Sequence, residues 1–449
     1  MEEISRKDNI VLLFNLYDME SQNLHTSFKL AGYDCPVIVI EDDGFVPDDV
    51  ISVYGYYMGD YSSVESLPGK PLYFNQVDVP EYWEISSNGR SGKISDKKYD
   101  RGYIYFTFPQ NKRMIKSVDW LDDRGIVRLT DHYNQYGGLY ARTIFNAKGE
   151  RVNKSFFSPD GKEVIVENYV TGAIILNDGD ITRIFHSKTE LVVNFFEQRG
   201  LESCSIYYNS LSVPFFVSER LKANESKSDI LFWQESERPD IPGNMRIILE
   251  NRATRTEKIY IQKKHSYDRF IALGADENII QKLGYIYPFQ KTNQNRPEVL
   301  ICTNSDQIEQ LTALVEGLPE VKFHIAALTE MSSKLLAFGS YENVRLYPAI
   351  KEATLDDLFV ECDYYLDVNH QNEIVNAVCE AFLYNQVVFA FAETIHNRDY
   401  IADEHIYRSV EVQHMIEDIK ACISDPMVMD AHLVLQQRQA LAEINYDFK

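Results

Sequence analysis

Two textures of apolar patterning alternate along the chain. Residues Ile10–Leu16 form a short continuous apolar run, the signature of a strand covered on both faces. Leu24, Phe28 and Ala31 then recur at helical spacing as far as Gly32, a helix-ending residue, and Val37–Ile40 is a second apolar run. This β-α-β order predicts the start of a Rossmann-like sheet. From about Tyr54 to His186 the texture changes. Short β-rich runs (Tyr103–Phe108, Ile126–Leu129, Glu163–Asn168, Gly172–Leu176, Ile181–Phe185) alternate with turns such as Asp122-Asp123-Arg124-Gly125, Asn146-Ala147-Lys148-Gly149 and Ser158-Pro159-Asp160-Gly161. Glycine supplies the positive φ these turns need, and Asp or Asn bonds back to the backbone. The series predicts an antiparallel β-meander. Helical texture returns at the capping box Ser187-Lys188-Thr189-Glu190, followed by Leu191, Val192, Phe195 and Phe196. Strand and helix candidates alternate again through Ser205–Tyr208, Asp229–Trp233, Arg246–Leu249 and Lys258–Gln262, so the meander reads as an insertion.

Pro288 to Pro297 is polar, Pro-bounded and aperiodic, and is expected to link two domains. Beyond it, apolar strands are predicted at Val299–Cys302, Lys322–Ala327, Val344–Leu346, Tyr364–Asp367 and Val387–Ala392. Helices are predicted near Asp306–Glu316, Glu330–Phe338, Thr354–Glu361 and Ile374–Tyr384, and two more, Val412–Ile423 and Met427–Ile444, break at Asp425-Pro426. The fold class expected is α/β, with two Rossmann-like domains facing a cleft and an antiparallel β-meander inserted in the first. The boundaries read as 1–58 with 187–287 for the first domain, 59–186 for the meander, 288–298 for the linker and 299–425 for the second domain. A terminal helix, 426–449, is expected to return to the first.

A chain of 449 residues suits two or three domains. Its charge narrows the partners: 45 basic against 68 acidic side chains give −23, which disfavours nucleic acid and direct docking on anionic lipid. The polar N-terminus MEEISRKDN lacks the apolar core of a signal peptide, and no apolar run is long enough to span a bilayer, so a cytoplasmic protein is expected. Six cysteines without C-x-x-C spacing read as reduced thiols. His186 and His265 lack partners at metal-ligand spacing, and no Walker A, G-x-S-x-G or G-x-G-x-x-G is present. Arg252, Arg255, Lys258, Lys263 and Lys264 form the most basic local stretch, most simply a solvated face, with an acidic partner surface as the alternative.

The segment from Asn372 to Phe382, followed by the apolar run Val387–Phe391, resembles the sugar-donor motif of retaining GT-B glycosyltransferases. That motif has two glutamates separated by seven residues, a Gly-rich turn after the first, and a helix opened by the second. Here Glu380 holds the second position, Asn372 stands at the first, and Glu373, Ile374 and Val375 fill the turn. Glycines there let backbone N–H groups approach a diphosphate, which β-branched side chains prevent. The strand at 299–302 leads into Thr303–Glu309, acidic and without the Arg and Lys that clamp a diphosphate in active relatives. The first loop, Asn15–Ser21, lacks the expected glycines.

With the meander and the two Rossmann-like domains, the chain resembles a family of non-catalytic stabilising subunits. These belong to two-component bacterial O-GlcNAc transferases that modify serine-rich-repeat adhesins within the accessory Sec system. The resemblance implies a catalytic glycosyltransferase partner and a Ser/Thr-rich polypeptide acceptor. It also implies no catalytic residue, cofactor or metal, and membrane contact only through a partner at the cytoplasmic face. A degenerate donor site would comprise Asn372, Glu373 and Glu380, and an acceptor cleft Asn15, Tyr17, His370 and Asn372. Exposed tyrosines of the meander, Tyr133, Tyr136 and Tyr140, are expected to dock the partner; a half-exposed β surface filled by tyrosine is the simpler reading for most of them. The alternative function is an active retaining transferase with a rebuilt donor site.

Overall fold

The computed structural model describes residues 9–222, 227–236 and 238–446; the N-terminal stretch 1–8, on which the signal-peptide reading rests, lies outside them. The first Rossmann-like sheet opens with β1 (Ile10–Leu16), β2 (Val37–Glu41) and β3 (Val50–Ser52). The meander follows as β4 (Glu84–Ser87), β5 (Ser91–Asp96), β6 (Tyr99–Phe106), β7 (Ile115–Leu121), β8 (Val127–Tyr133), β9 (Leu139–Phe145), β10 (Arg151–Phe157), β11 (Glu163–Asn168), β12 (Ile174–Asp178) and β13 (Ile181–Phe185). The chain then returns to the first sheet with β14 (Ser205–Tyr208), β15 (Asp229–Trp233), β16 (Thr256–Ile261) and β17 (Ile280–Lys282). The last sheet holds β18 (Glu298–Thr303), β19 (Lys322–Ala327), β20 (Val344–Tyr347), β21 (Tyr364–Asp367), β22 (Val387–Phe391) and β23 (Ile406–Tyr407).

The first sheet has the order β17-β16-β15-β14-β1-β2-β3, and the last the order β20-β19-β18-β21-β22-β23, its strands parallel. Their central strands are buried along nearly their whole length, which is why they read as unbroken apolar runs. The ten meander strands pair in sequence order, and their alternation gives one apolar face. On that face Ile94, Ile104, Phe106, Ile115 and Val118 form a small core with Val77. Gly102 is obligatory there, because a Cβ would lie 2.6 Å from the Asp119 carbonyl oxygen of the next strand.

The chain divides into two compact units. One comprises the described parts of 1–25, 32–260 and 273–281, the other those of 26–31, 261–272 and 282–449. The stretch 288–297 carries no regular structure but is no loose tether within the second unit. The buried Asp363 carboxylate accepts from Lys291 Nζ at 2.8 Å, Arg296 Nε at 2.9 Å and the backbone N–H of Arg296 at 2.9 Å. The stretch is polar because Lys291 and Arg296 serve this carboxylate while Asn293 and Asn295 bond the carbonyls of Asp363, Asn385 and Cys422. Four helices are shorter than their pattern predicts: Leu311–Gly317, Ala377–Leu383, Pro426–Gln439 and Ser333–Leu336. The first two start late because the residues before them form loops at the carboxyl ends of strands, with Gln310, Val375 and Asn376 all at positive φ. After Gln439 the tail packs within the second unit on Phe28, whose ring lies 5.4 Å from that of Tyr446. No helix among the described residues is long and apolar enough to cross a membrane.

Candidate functional site

In the second unit the site grows from the carboxyl ends of β18, β21 and β22. The loop after β18 and the loop after β21 are zipped together: Glu309 N–H donates to the Val368 carbonyl at 2.7 Å, and His370 N–H to that of Gln307 at 2.8 Å. The His370 ring bonds Glu309 Oε2 at 2.8 Å, so it is committed to a structural pair. Asn372 is exposed on the same loop. Glu373 turns inward and accepts the N–H of Val378 at 2.7 Å, capping the helix that follows. Burial first, and then Asp367, raise its carboxyl above the ordinary value. Ile374 is buried while Val375 points out, and Val375 and Asn376 adopt the left-handed backbone that glycine adopts without strain. Glu380 lies inside the helix; burial and the charge of Asp356 raise it.

Two residues that the sequence pattern did not single out hold this loop. His396 donates its backbone N–H to Asp367 Oδ2 at 2.7 Å, Nδ1 bonds Asp367 Oδ1 at 2.5 Å, and Nε2 bonds the Gln371 carbonyl at 2.5 Å. The Asp367 hydrogen bond raises the imidazole to about 9, so it is charged and donates from both nitrogens at neutral pH. An Asp at the carboxyl end of a parallel strand was the available signal; nothing in the spacing marked His396. Beside this loop is a cavity of about 310 Å³ whose charged lining is Asp306 and Glu330, with no Lys or Arg. A diphosphate entering it would meet like charge.

In the first unit the carboxyl ends of β1 and β14 carry a largely uncharged network. Asn15 N–H donates to Asn209 Oδ1 at 2.9 Å, and Asn209 Nδ2 donates to Ser21 Oγ and Gln234 Oε1, each at 3.0 Å. Tyr17 bonds His25 Nδ1 at 2.8 Å, and burial, reinforced by Asp49, pushes its hydroxyl up to about 12, so it remains neutral. Amides and hydroxyls of this kind both donate and accept, as a polypeptide backbone requires.

The meander tyrosines need a correction. Tyr140 is buried, its hydroxyl donating to the Asp42 carbonyl at 3.3 Å, and Tyr136 bonds Asp48 at 2.7 Å. Tyr133 is half-buried beside the meander core. Tyr54 bonds buried Glu167, with its ring 4.6 Å from that of Phe156, and Tyr61 donates to the Phe157 carbonyl at 2.7 Å. The contacts of Tyr54, Tyr136 and Tyr140 join the meander to the segments that follow β2 and flank β3. Exposed rings lie elsewhere, among them Tyr82, Tyr99, Tyr103, Tyr105, Phe108 and Tyr169. The basic stretch is likewise no single patch: Arg255 is wholly buried against Asp229, and Arg252 pairs with Glu250.

Comparison with known proteins places this geometry. Family models match residues 11–57 (GtfB N-terminal domain), 83–186 (GtfB middle domain), 188–273 (GtfB third domain) and 299–436 (GftB/GlyA-F C-terminal domain). A Streptococcus agalactiae protein, UDP-N-acetylglucosamine–peptide N-acetylglucosaminyltransferase stabilizing protein GtfB, is 42% identical over 96% of this chain and 96% of its own. The chain belongs to the GtfB family. The Streptococcus gordonii GtfB is 41% identical over 96% of this chain and 95% of its own. Among solved structures, a chain of a GtfA/B complex bound to UDP and GlcNAc matches with TM-score 0.89 at 40% identity over 97% of both chains. A chain of the accessory secretory protein 1,2 and 3 structure from Streptococcus pneumoniae shares the fold at TM-score 0.63 and 9% identity, over 96% of this chain and 95% of its own. A mutant of S. aureus TarM, in complex with alpha-GlcNAc-glycerol and UDP, shares it at TM-score 0.50 and 13% identity, over 96% of each. The fold is therefore GT-B-like. GtfB relatives are named as stabilizing proteins of a peptide N-acetylglucosaminyltransferase.

Proposed function

We propose that this GtfB-family chain is the acceptor-binding and stabilising subunit of a peptide O-GlcNAc transferase, acting beside a catalytic glycosyltransferase subunit. The observation that carries the reading is the near full-length identity to proteins named as stabilizing subunits. The acid-lined cavity beside Asn372 supports it, since a pocket without a cation is unsuited to a nucleotide diphosphate. We assign Asn372, Glu373 and Glu380 to a degenerate donor site. We assign the acceptor to the groups around Asn15 and Tyr17 in the first unit, and to His370 and Asn372 in the second. The acceptor class is a Ser/Thr-rich polypeptide, taken to be a serine-rich-repeat adhesin before export, with the complex on the cytoplasmic side. We place docking of the catalytic subunit on the meander, through its exposed rings such as Tyr103 and Tyr105.

The test is a transfer assay with UDP-GlcNAc and a Ser-rich peptide, using this chain alone, the catalytic subunit alone, and both together. Turnover is expected to be strongest with both and absent with this chain alone, which should still bind the peptide. Turnover by the isolated chain would overturn the assignment.

A further inference from the structure

At the amino ends of β18 and β19, the opposite end of those strands from the loops described above, three metal-ligating side chains converge. Glu298 is the first residue of β18, His324 stands early in β19, and Glu361 ends the helix Glu352–Glu361, which packs on β18. The parallel register sets His324 beside Leu300, two residues on from Glu298, so Glu298 and His324 project from the same face of the sheet. One ligand atom from each of Glu298, His324 and Glu361 lies within 4.8 Å of those of the other two. No sequence spacing marks the group, because its members come from three separate elements.

Two further observations distinguish it from acids that merely meet. The first is His324, which is 1% exposed. Its Nε2 faces Glu298 Oε2 at 2.6 Å, and its Nδ1 bonds the Tyr347 hydroxyl at 2.9 Å, with the two rings stacked. A histidine that ligates a metal through one nitrogen is held through the other by such a partner. The second is Glu361. It makes no hydrogen bond or ion pair among the described residues. It also stands in the last turn of its helix, where the dipole opposes an anion and favours a cation, and that turn holds no Lys or Arg. Arg296 acts on Glu361 from a distance but is committed to Asp363.

We propose that Glu298, His324 and Glu361 bind one divalent transition-metal ion of the zinc type, tying β18 and β19 to the helix Glu352–Glu361. The donor set decides the metal: an imidazole nitrogen with carboxylates suits Zn²⁺, whereas Mg²⁺ and Ca²⁺ take oxygen ligands. With the ion bound, Nδ1–H donates to the Tyr347 oxygen and the Nε2 lone pair goes to the metal. Bonds of about 2.0–2.2 Å put the ligand atoms of one zinc ion about 3–4 Å apart. Glu361 therefore moves slightly inwards and Glu298 yields slightly from the ring, which neither side chain is buried enough to prevent. Lys322 bonds the other oxygen of Glu298, Oε1, at 3.2 Å, so it weakens the attraction for a cation without occupying Oε2. This inference does not depend on the function proposed above.

The test is calorimetric titration of the full chain, free of any purification tag, with ZnCl₂. One ion per chain is expected, in a site that MgCl₂ and CaCl₂ do not fill. Glu361→Gln should weaken zinc binding at least about tenfold. Because Glu361 is exposed, the melting temperature of that variant without metal should stay near the parent's. His324→Gln should lose zinc as well, and Tyr347→Phe, which removes only the partner behind the ring, should weaken it about tenfold. His265→Asn, which alters an exposed imidazole elsewhere, should leave it unchanged. CoCl₂ gives a second readout: the visible absorption of protein-bound Co²⁺ should appear in the parent and fade in Glu361→Gln. If His324→Gln does not fold, Glu361→Gln decides alone. Absence of zinc uptake, equal zinc affinity in the parent and Glu361→Gln, or magnesium binding as tight as zinc would overturn the proposal.

Discussion

Arg255 shows how far the burial of one side chain changes its meaning. In the sequence it belongs to a basic stretch; in the fold it is fully buried, donating to Asp229 at 2.9 and 3.1 Å and to the carbonyls of Glu202, Lys222 and Cys204. Removing one partner strands the other charge, so Arg255→Met should cost about 3–5 kcal/mol. Arg255→Met with Asp229→Leu should recover most of the loss, and urea unfolding of both variants checks it. A cost below about 1 kcal/mol for the single change would rule out the buried pair. His396 gives a residue-scale prediction in pH. Its folded value of about 9 lies above the ordinary 6.5, so the stabilisation is complete below pH 6.5 and lost as pH rises through 9. Because the ring is partly screened, a fall of roughly 1–2 kcal/mol between those limits is expected. Unfolding measured at both ends should show it in the parent and not in His396→Asn.

At the scale of elements, Gly284 meets the tail within the second unit. A Cβ on Gly284 would lie 1.8 Å from the Leu441 carbonyl oxygen, and the Gly284 carbonyl accepts from the Tyr446 hydroxyl at 2.5 Å. Gly284→Ala must therefore displace the tail. Proteolysis should then cut after Gln439 faster than in the parent, and equal cutting would contradict the packing. The sequence showed the strands far better than these close approaches. Ile10–Leu16, Ser205–Tyr208 and Lys322–Ala327 begin and end where the apolar runs do, since a parallel strand covered on both faces must be apolar throughout. Helix starts were less visible, because the residues before Leu311 and Ala377 have helical composition yet form loops that bond each other. The same limit applied to the site. His370, Asn372 and Glu373 share a loop, as contiguous residues must, but their holders Glu309 and His396 arrive from distant turns that no spacing marks. Tyrosine propensity could not separate buried Tyr140 from exposed Tyr105, since a hydroxylated ring suits both settings.

At the scale of the whole molecule, charge sets how this chain can reach a membrane. The full sequence carries −23, and the lipid surface of a bacterial cytoplasmic face is also anionic. Each basic side chain near such a surface contributes about 1 kcal/mol of attraction, so a chain with 23 more acids than bases is repelled unless its cations are segregated. Among the described residues several cations are already committed: Arg255 is buried, and Lys93, Lys116, Lys162 and Lys188 are paired with acids. The purified chain should therefore fail to sediment with phosphatidylglycerol vesicles, and lowering the salt should not rescue it, because weaker screening strengthens repulsion. Adding the catalytic subunit separates two routes. Co-sedimentation that appears only with that subunit would place the membrane contact on it, as proposed for the complex. Co-sedimentation of the isolated chain, strengthened at low salt, would require a basic surface on this chain itself and would refute the indirect route.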